Sequence, residues 1–266
     1  MSEELVIVDG FSTLNRWLLY ASVMLAPAQF ISGWRGSGFT NLGFHAFNWY
    51  NQVIWYNAAV NRQLGALALL PVHFNIVFCL SYLGGLATGN LFTGLLLGLG
   101  TGGVMVFNTV IAWKAWAICQ RDGFGEYEFF FFGWRTLSDG WHKFFLVWQI
   151  GDSIFALNTV FLALAIPIAL KAYRDDEGKE ERPDSILAGL RNIANLKYPA
   201  IPVGAALMLI ATWPLILWVE LIVKRNHIES PTDWNSVWLF IVQAALLIPP
   251  NFGGYFSGKI KGLFSR

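Results

Sequence analysis

Charge is scarce in this chain. Of its 266 residues only 13% are Asp, Glu, Lys or Arg, about half the share of an average soluble domain. The two signs nearly cancel, 18 basic against 17 acidic. No basic excess is left to hold a phosphate backbone, which excludes nucleic acid as a partner. Cysteine is scarcer still. Cys79 and Cys119 sit in or beside apolar runs without a C-x-x-C spacing, which excludes a disulfide scaffold and a thiolate metal site and leaves two small buried hydrophobes. The chain has no N-x-Ser/Thr sequon, and it opens Met1-Ser2-Glu3-Glu4, acidic where a secretory signal carries positive charge.

Enzyme signatures are missing as well. There is no glycine-rich phosphate loop, no H-E-x-x-H, no G-x-S-x-G and no His/Asp cluster at metal spacing. The nearest acidic pair, in Asp175-Asp176-Glu177, belongs to an alternating-sign run that reads as a solvated loop.

Apolar surface is what the chain has in excess. Hydrophobic residues make up 55% of it and Phe, Trp and Tyr 16%, with a mean hydropathy of +0.49. A helix crossing roughly 30 Å of hydrocarbon needs about 20 mostly apolar residues, and charge-free runs locate the candidates. Residues 63–113 form a 51-residue run without one formal charge, long enough for two spans and broken at Gly89-Asn90. The expected fold is all-α, a single polytopic transmembrane bundle over residues 1–266, with six spans near 17–34, 64–86, 91–118, 144–170, 200–223 and 236–256.

Three further segments fit the boundary better than the bilayer interior. Residues 36–61 are uncharged yet carry Asn41, Asn48, Asn51, Asn57, Asn61 and His45. Five amides facing lipid would each need an internal partner, so an interfacial or re-entrant segment is expected there. Residues 126–141 mix Phe129-Phe130-Phe131-Phe132, Trp134 and Trp141 with scattered charge, which suits the headgroup level. Residues 171–184 form a polar loop, followed by a surface helix over 185–197. Six spans put both termini on one side, where ten of the eighteen basic residues fall, so the positive-inside rule points to cytoplasmic termini.

Asp152 is the leading candidate for chemistry. It interrupts the otherwise uncharged run 144–170. A carboxylate in hydrocarbon must be protonated, paired or turned into the bundle, and intramembrane ionisable groups are functional by default. Glu220 precedes Lys224 by four residues, a spacing that an i,i+4 ion pair would explain. His73 falls halfway along the second expected span, where a lone histidine could relay protons, hold a pigment or bond a neighbouring helix. A b-type haem would want a second axial ligand at similar depth, so no cofactor and no metal are assigned.

Asn108 and Gln243 complete a set of polar groups, with Asp152 and His73, each on a different span. Gly94, Gly98 and Gly102 recur every four residues and form a bare stripe that lets another backbone approach, within one protomer or across a homo-oligomer contact. Pro71, Pro167 and Pro214 each fall inside a span and free a backbone carbonyl.

The leading functional expectation is a small channel, transporter or membrane-complex subunit with a polar site around Asp152. The lipid bilayer is its first partner, with further copies of the chain or other membrane subunits beside it. The alternatives are an intramembrane enzyme acting on a lipid or isoprenoid, with Asp152 as acid or base and His73 or Glu220 assisting, and a lipid-binding, membrane-organising protein without catalysis.

Overall fold

The computed structural model describes residues 5–6, 11–29, 41–62, 91–177 and 197–247. The described chain is mainly helical: α1 (Thr13–Met24), α2 (Leu42–Val60), α3 (Leu91–Lys114), α4 (Asp139–Glu177), α5 (Lys197–Arg225) and α6 (Trp234–Leu247). α3 continues into a wide turn over Ala115–Cys119 and a tight one over Gln120–Gly123. Two small sheets accompany the helices. β1 (Leu5–Val6) pairs parallel with β4 (Ile228–Glu229), and β2 (Glu128–Phe130) forms a hairpin with β3 (Trp134–Thr136).

Among the described residues three helical stretches are long and apolar enough to cross a membrane: Leu91–Gly123, Asp139–Ala169 and Ile201–Arg225. At 1.5 Å per residue the shortest, 25 residues, reaches about 37 Å. Their surfaces are inverted relative to a water-soluble helix. On α4 the outward stripe is Val147, Ile150, Ile154, Leu157 and Phe161, at spacings of three and four. The inward stripe is Gln149, Asp152, Ala156, Thr159 and Ala163. α5 repeats the arrangement, with Val203, Leu207, Ile210 and Leu217 outward and Thr212, Val219 and Ile222 buried. An apolar shell around an interior rich in amides is unfavourable in water and suited to lipid.

The core of the described bundle is the antiparallel pair α3 and α4, the most extensive helix contact among the described residues. Gly94, Gly98 and Gly102 are all buried, so the stripe faces protein. At Gly102 the reason is visible: a Cβ there would lie 3.2 Å from Val160 Cγ2 and 3.5 Å from Val160 Cα.

α2 departs from the expected interfacial segment. It runs parallel to α3 along most of its length, with His45 against Gly100, Trp49 against Gly103 and stacked on Phe107, Asn108 bonded to Gln52, and Cys119 bonded to Ala59. Asn41, Asn48, Asn51 and Gln52 are buried, while Asn57 and Asn61 are exposed at its last turn. Asn48 and Asn51 donate to the carbonyls of Phe44 (2.9 Å) and Phe47 (2.7 Å) one turn back. The amides that argued against immersion are thus turned inward.

The order of helix starts differs from that of a six-pass serpentine. In a six-pass serpentine with α1 first, α1 and α6 begin at opposite ends. Here Asn15 and Asp233 exchange two hydrogen bonds of 3.0 Å, so both helices begin at the same end. Arg16 on Glu220 and Arg225 on Glu128 bring the end of α5 and the β2–β3 hairpin to that end too. The expected span over 64–86 and the surface helix over 185–197 lie almost wholly outside the described residues, and Pro71 and Cys79 lie outside them too.

Candidate functional site

Polar side chains gather in two places, a layer deep in the bundle and a cleft at the hairpin end. The deep layer begins at Asp152, which its stripe position buries against α3. Thr109 Oγ1 lies 3.5 Å from Asp152 Oδ2 and 3.0 Å from the Met105 carbonyl. One hydroxyl proton serves one acceptor at a time. A carboxylate would take that proton, whereas a carboxylic acid would donate its own to Thr109 and leave the bond to Met105 intact. The contact accommodates both protonation states with a rotation of one hydroxyl.

Around Asp152 the layer is built from neutral groups. Asn108 Nδ2 donates to Gln52 Oε1 at 3.0 Å, linking α3 to α2. Trp113 Nε1 donates to Ser153 Oγ at 2.8 Å, linking α3 to α4. Four buried amide oxygens have no hydrogen-bond partner among the described residues: Gln29 Oε1, just after α1, and, on the three helices of this layer, Asn48 Oδ1 on α2, Asn108 Oδ1 on α3 and Gln149 Oε1 on α4. Orphaned buried acceptors each forfeit about 1–3 kcal/mol and mark places where a proton donor or cation would be welcome.

The expected site residues do not converge on one point. Asp152 and Asn108 share a level, because Thr109 and Asn108 are adjacent on α3. Gln243 sits elsewhere, with its Nε2 donating to Ser22 Oγ at 2.9 Å between α6 and α1. A Cβ on Gly43 of α2 would come within 2.6 Å of the Gln243 backbone. Glu220 belongs to the hairpin end, and His73 lies outside the described residues.

Glu220 also has a different partner from the one its spacing suggests. Arg16 holds it bidentately, Nε to Oε1 at 2.7 Å and Nη2 to Oε2 at 2.9 Å, and Tyr20 donates to Oε1 at 2.9 Å. Arg16 is itself positioned by the Phe11 carbonyl at 2.8 Å and by the Phe11 ring beneath it. The pair forms one wall of a cleft of about 640 Å³ lined also by Thr13, Lys224, His227, Ser230 and Thr232. Both oxygens of Glu220 are taken up by Arg16, so the i,i+4 pairing with Lys224 gives way to a stronger bidentate one 204 residues away in sequence.

Two further features of this end were not anticipated. Asp233 caps α6 through Ser236 N at 2.9 Å and Ser236 Oγ at 2.6 Å, and it accepts from Tyr50 at 3.2 Å. With Asn15 on its backbone, this knot ties α1, α2 and α6 together. His142 is buried in the first turn of α4. Its Nδ1 lies 2.6 Å from Gln120 Oε1 and its ring stacks on Trp116 at 4.3 Å. An amide oxygen only accepts, so Nδ1 carries the proton there. The signal for both was weak, since a capping Asp and a loop His look ordinary in one sequence.

The hairpin adds apolar contacts. Phe129 packs edge-on against Trp141 and Phe145, while Phe132, at the tip, is 91% exposed and left-handed (φ 49). At its base, burial pushes the Tyr127 phenol up, helped by Glu126 and Asp122. Lys114 settles over the Tyr56 ring at 4.9 Å. Among the described residues no three of His, Cys, Asp and Glu converge as a metal site would need.

Comparison of the chain with protein-family models, with curated proteins and with solved structures finds no match.

Proposed function

We propose that this chain is a polytopic integral membrane protein of the channel, transporter or membrane-complex-subunit class, with its working site in the layer around Asp152. The observation that carries the reading is the inverted polarity of α4. That helix is long and apolar enough to span, apolar toward the outside, and holds a carboxylate on its inward stripe beside Thr109. A buried acid of this kind is expensive in a membrane and is characteristically used for proton or ion coupling. The orphaned amide oxygens of Asn108 and Gln149 support the same reading, because they offer acceptors and no fixed charge.

α2 joins the bundle in this reading, packed parallel to α3 with its amides turned inward. The test is reconstitution into vesicles that trap a pH-sensitive dye. Vesicles with the wild-type chain should dissipate an imposed pH gradient faster than those with Asp152→Asn, and Asp152→Asn should insert and fold normally. Equal rates would remove proton coupling and leave Asp152 as a hydrogen-bonded lock between α3 and α4, the organising role.

A further inference from the structure

We infer that the cleft at the hairpin end is a binding site for a phosphate-bearing anion, presented to it by the headgroup of a membrane lipid. The argument starts from charge. Four ionisable groups line the cleft: Arg16, Glu220, Lys224 and His227. Arg16 and Glu220 neutralise each other in a bidentate pair, with Tyr20 completing the carboxylate's hydrogen bonds. Lys224 is exposed and has no ion-pair partner among the described residues. Its positive charge, one residue from the end of α5, is therefore the uncompensated charge of the cleft.

Hydroxyls supply the rest of an anion's needs. Thr13 lines the same wall as Lys224 and accepts from Arg16, which leaves its proton for a phosphate oxygen. Ser230 and Thr232, now donating to the Pro231 carbonyl and Ser12 Oγ, would turn their protons to the anion on binding. His227 is held on the rim by a left-handed turn (φ 50), a conformation that needs its surroundings to maintain it. At about 640 Å³ the cleft is of the size that small-molecule sites have.

Position selects the source. The cleft opens where α1 and α6 begin and α5 ends, and exposed tryptophans stand at those first turns, Trp17 (62%) and Trp234 (63%). Tryptophan is the side chain enriched at the headgroup level, so the phosphate nearest to Lys224 is a lipid's. The inference rests on the membrane-embedded reading above. Carbonate extraction of cell membranes tests that reading separately, so the failure of one is distinguishable from the failure of the other.

The experiment is lipid titration of the detergent-solubilised full chain, read by native mass spectrometry. The probes are phosphatidic acid, phosphatidylglycerol, phosphatidylcholine and inorganic phosphate. The wild-type chain should retain one anionic lipid in preference to phosphatidylcholine. Lys224→Gln should weaken that adduct by about five-fold, the effect of one basic group near an anionic surface, and Lys224→Arg should keep it. Lys143→Gln removes an exposed charge that salt-bridges Asp139 at the same end, outside the cleft, and should leave the adduct unchanged. Retention of inorganic phosphate with the same dependence on Lys224, and no preference for lipid, would keep the anion site and overturn its lipid source. Equal losses with Lys224→Gln and Lys143→Gln, or no loss with Lys224→Gln, would overturn the site itself.

Discussion

The hairpin end and the middle of the bundle handle polarity in opposite ways. At the hairpin end polar groups are charged, long-range in sequence and multiply bonded: Arg16 on Glu220 with Tyr20, Asn15 on Asp233 with Ser236, and Arg225 on Glu128. In the middle they are mostly neutral, joined in single contacts, and leave amide oxygens of Asn48, Asn108 and Gln149 unmatched. The difference follows from solvent. Near a boundary, water and headgroups lower the desolvation penalty of a charge, whereas at depth each ion demands a complete shell of partners. The end of the bundle is therefore tied by charged, multiply bonded contacts, and the middle is tied by fewer and mostly neutral ones.

Breaking the end should have the largest effect. Arg16→Met leaves Glu220 without its bidentate partner and should lower stability by about 2–3 kcal/mol, below the full cost of breaking a wholly buried pair because Glu220 is partly exposed. Thermal unfolding in detergent reads this directly, and Arg16→Met combined with Glu220→Leu should recover most of the loss. If the single substitution proves harmless, the pair is ornamental and the comparison collapses.

Packing in the middle comes next. Gly98→Leu places a side chain on the buried stripe between α3 and its neighbours, and overpacking of this kind typically destabilises by about 1–3 kcal/mol. Gly43→Ala should act similarly, because its Cβ would sit 2.6 Å from Gln243 Cα. An unchanged unfolding temperature for Gly98→Leu would mean that the stripe faces lipid.

Asp152 sharpens the comparison because its two substitutions should separate. Asp152→Asn keeps a group able to bond Thr109 and should cost less than about 1 kcal/mol, while Asp152→Leu forfeits the bond and should cost about 1–3 kcal/mol. Equal losses for both would mean that hydrogen bonding at this position has no bearing on the fold. The smallest effect belongs to the outer shell. Leu157→Val on the exposed stripe of α4 should stay within about 0.5 kcal/mol of the parent chain, and a larger loss would place another protein surface over that stripe.

Much of the middle was legible in the sequence, because period and charge are local signals. The glycine repeat at Gly94, Gly98 and Gly102 located a buried face, and the charge-free runs located the helices that are long enough to span. Asp152 stood out by interrupting such a run. The end was legible only in part. Glu220 and Lys224 sit at an i,i+4 spacing that local reasoning resolves into an ion pair, and the competitor, Arg16, is 204 residues away. The packing of α2 was hidden for a related reason. Counting amides registers a penalty for immersion, but it does not reveal that Asn48 and Asn51 bond back to their own helix and Gln52 across to Asn108.

The arrangement of ends is the central claim, and single-cysteine accessibility tests it most directly. In a chain carrying Cys79→Ser and Cys119→Ser, one cysteine is placed in turn at Leu14, Phe132 and Ala172, all three exposed, and labelled in sealed vesicles with a membrane-impermeant maleimide. The structure sets Leu14 and Phe132 at the hairpin end and Ala172 at the far end of α4, so Leu14 and Phe132 should react from the same side and Ala172 from the other. A six-pass chain would instead pair Leu14 with Ala172, and that result would contradict the account.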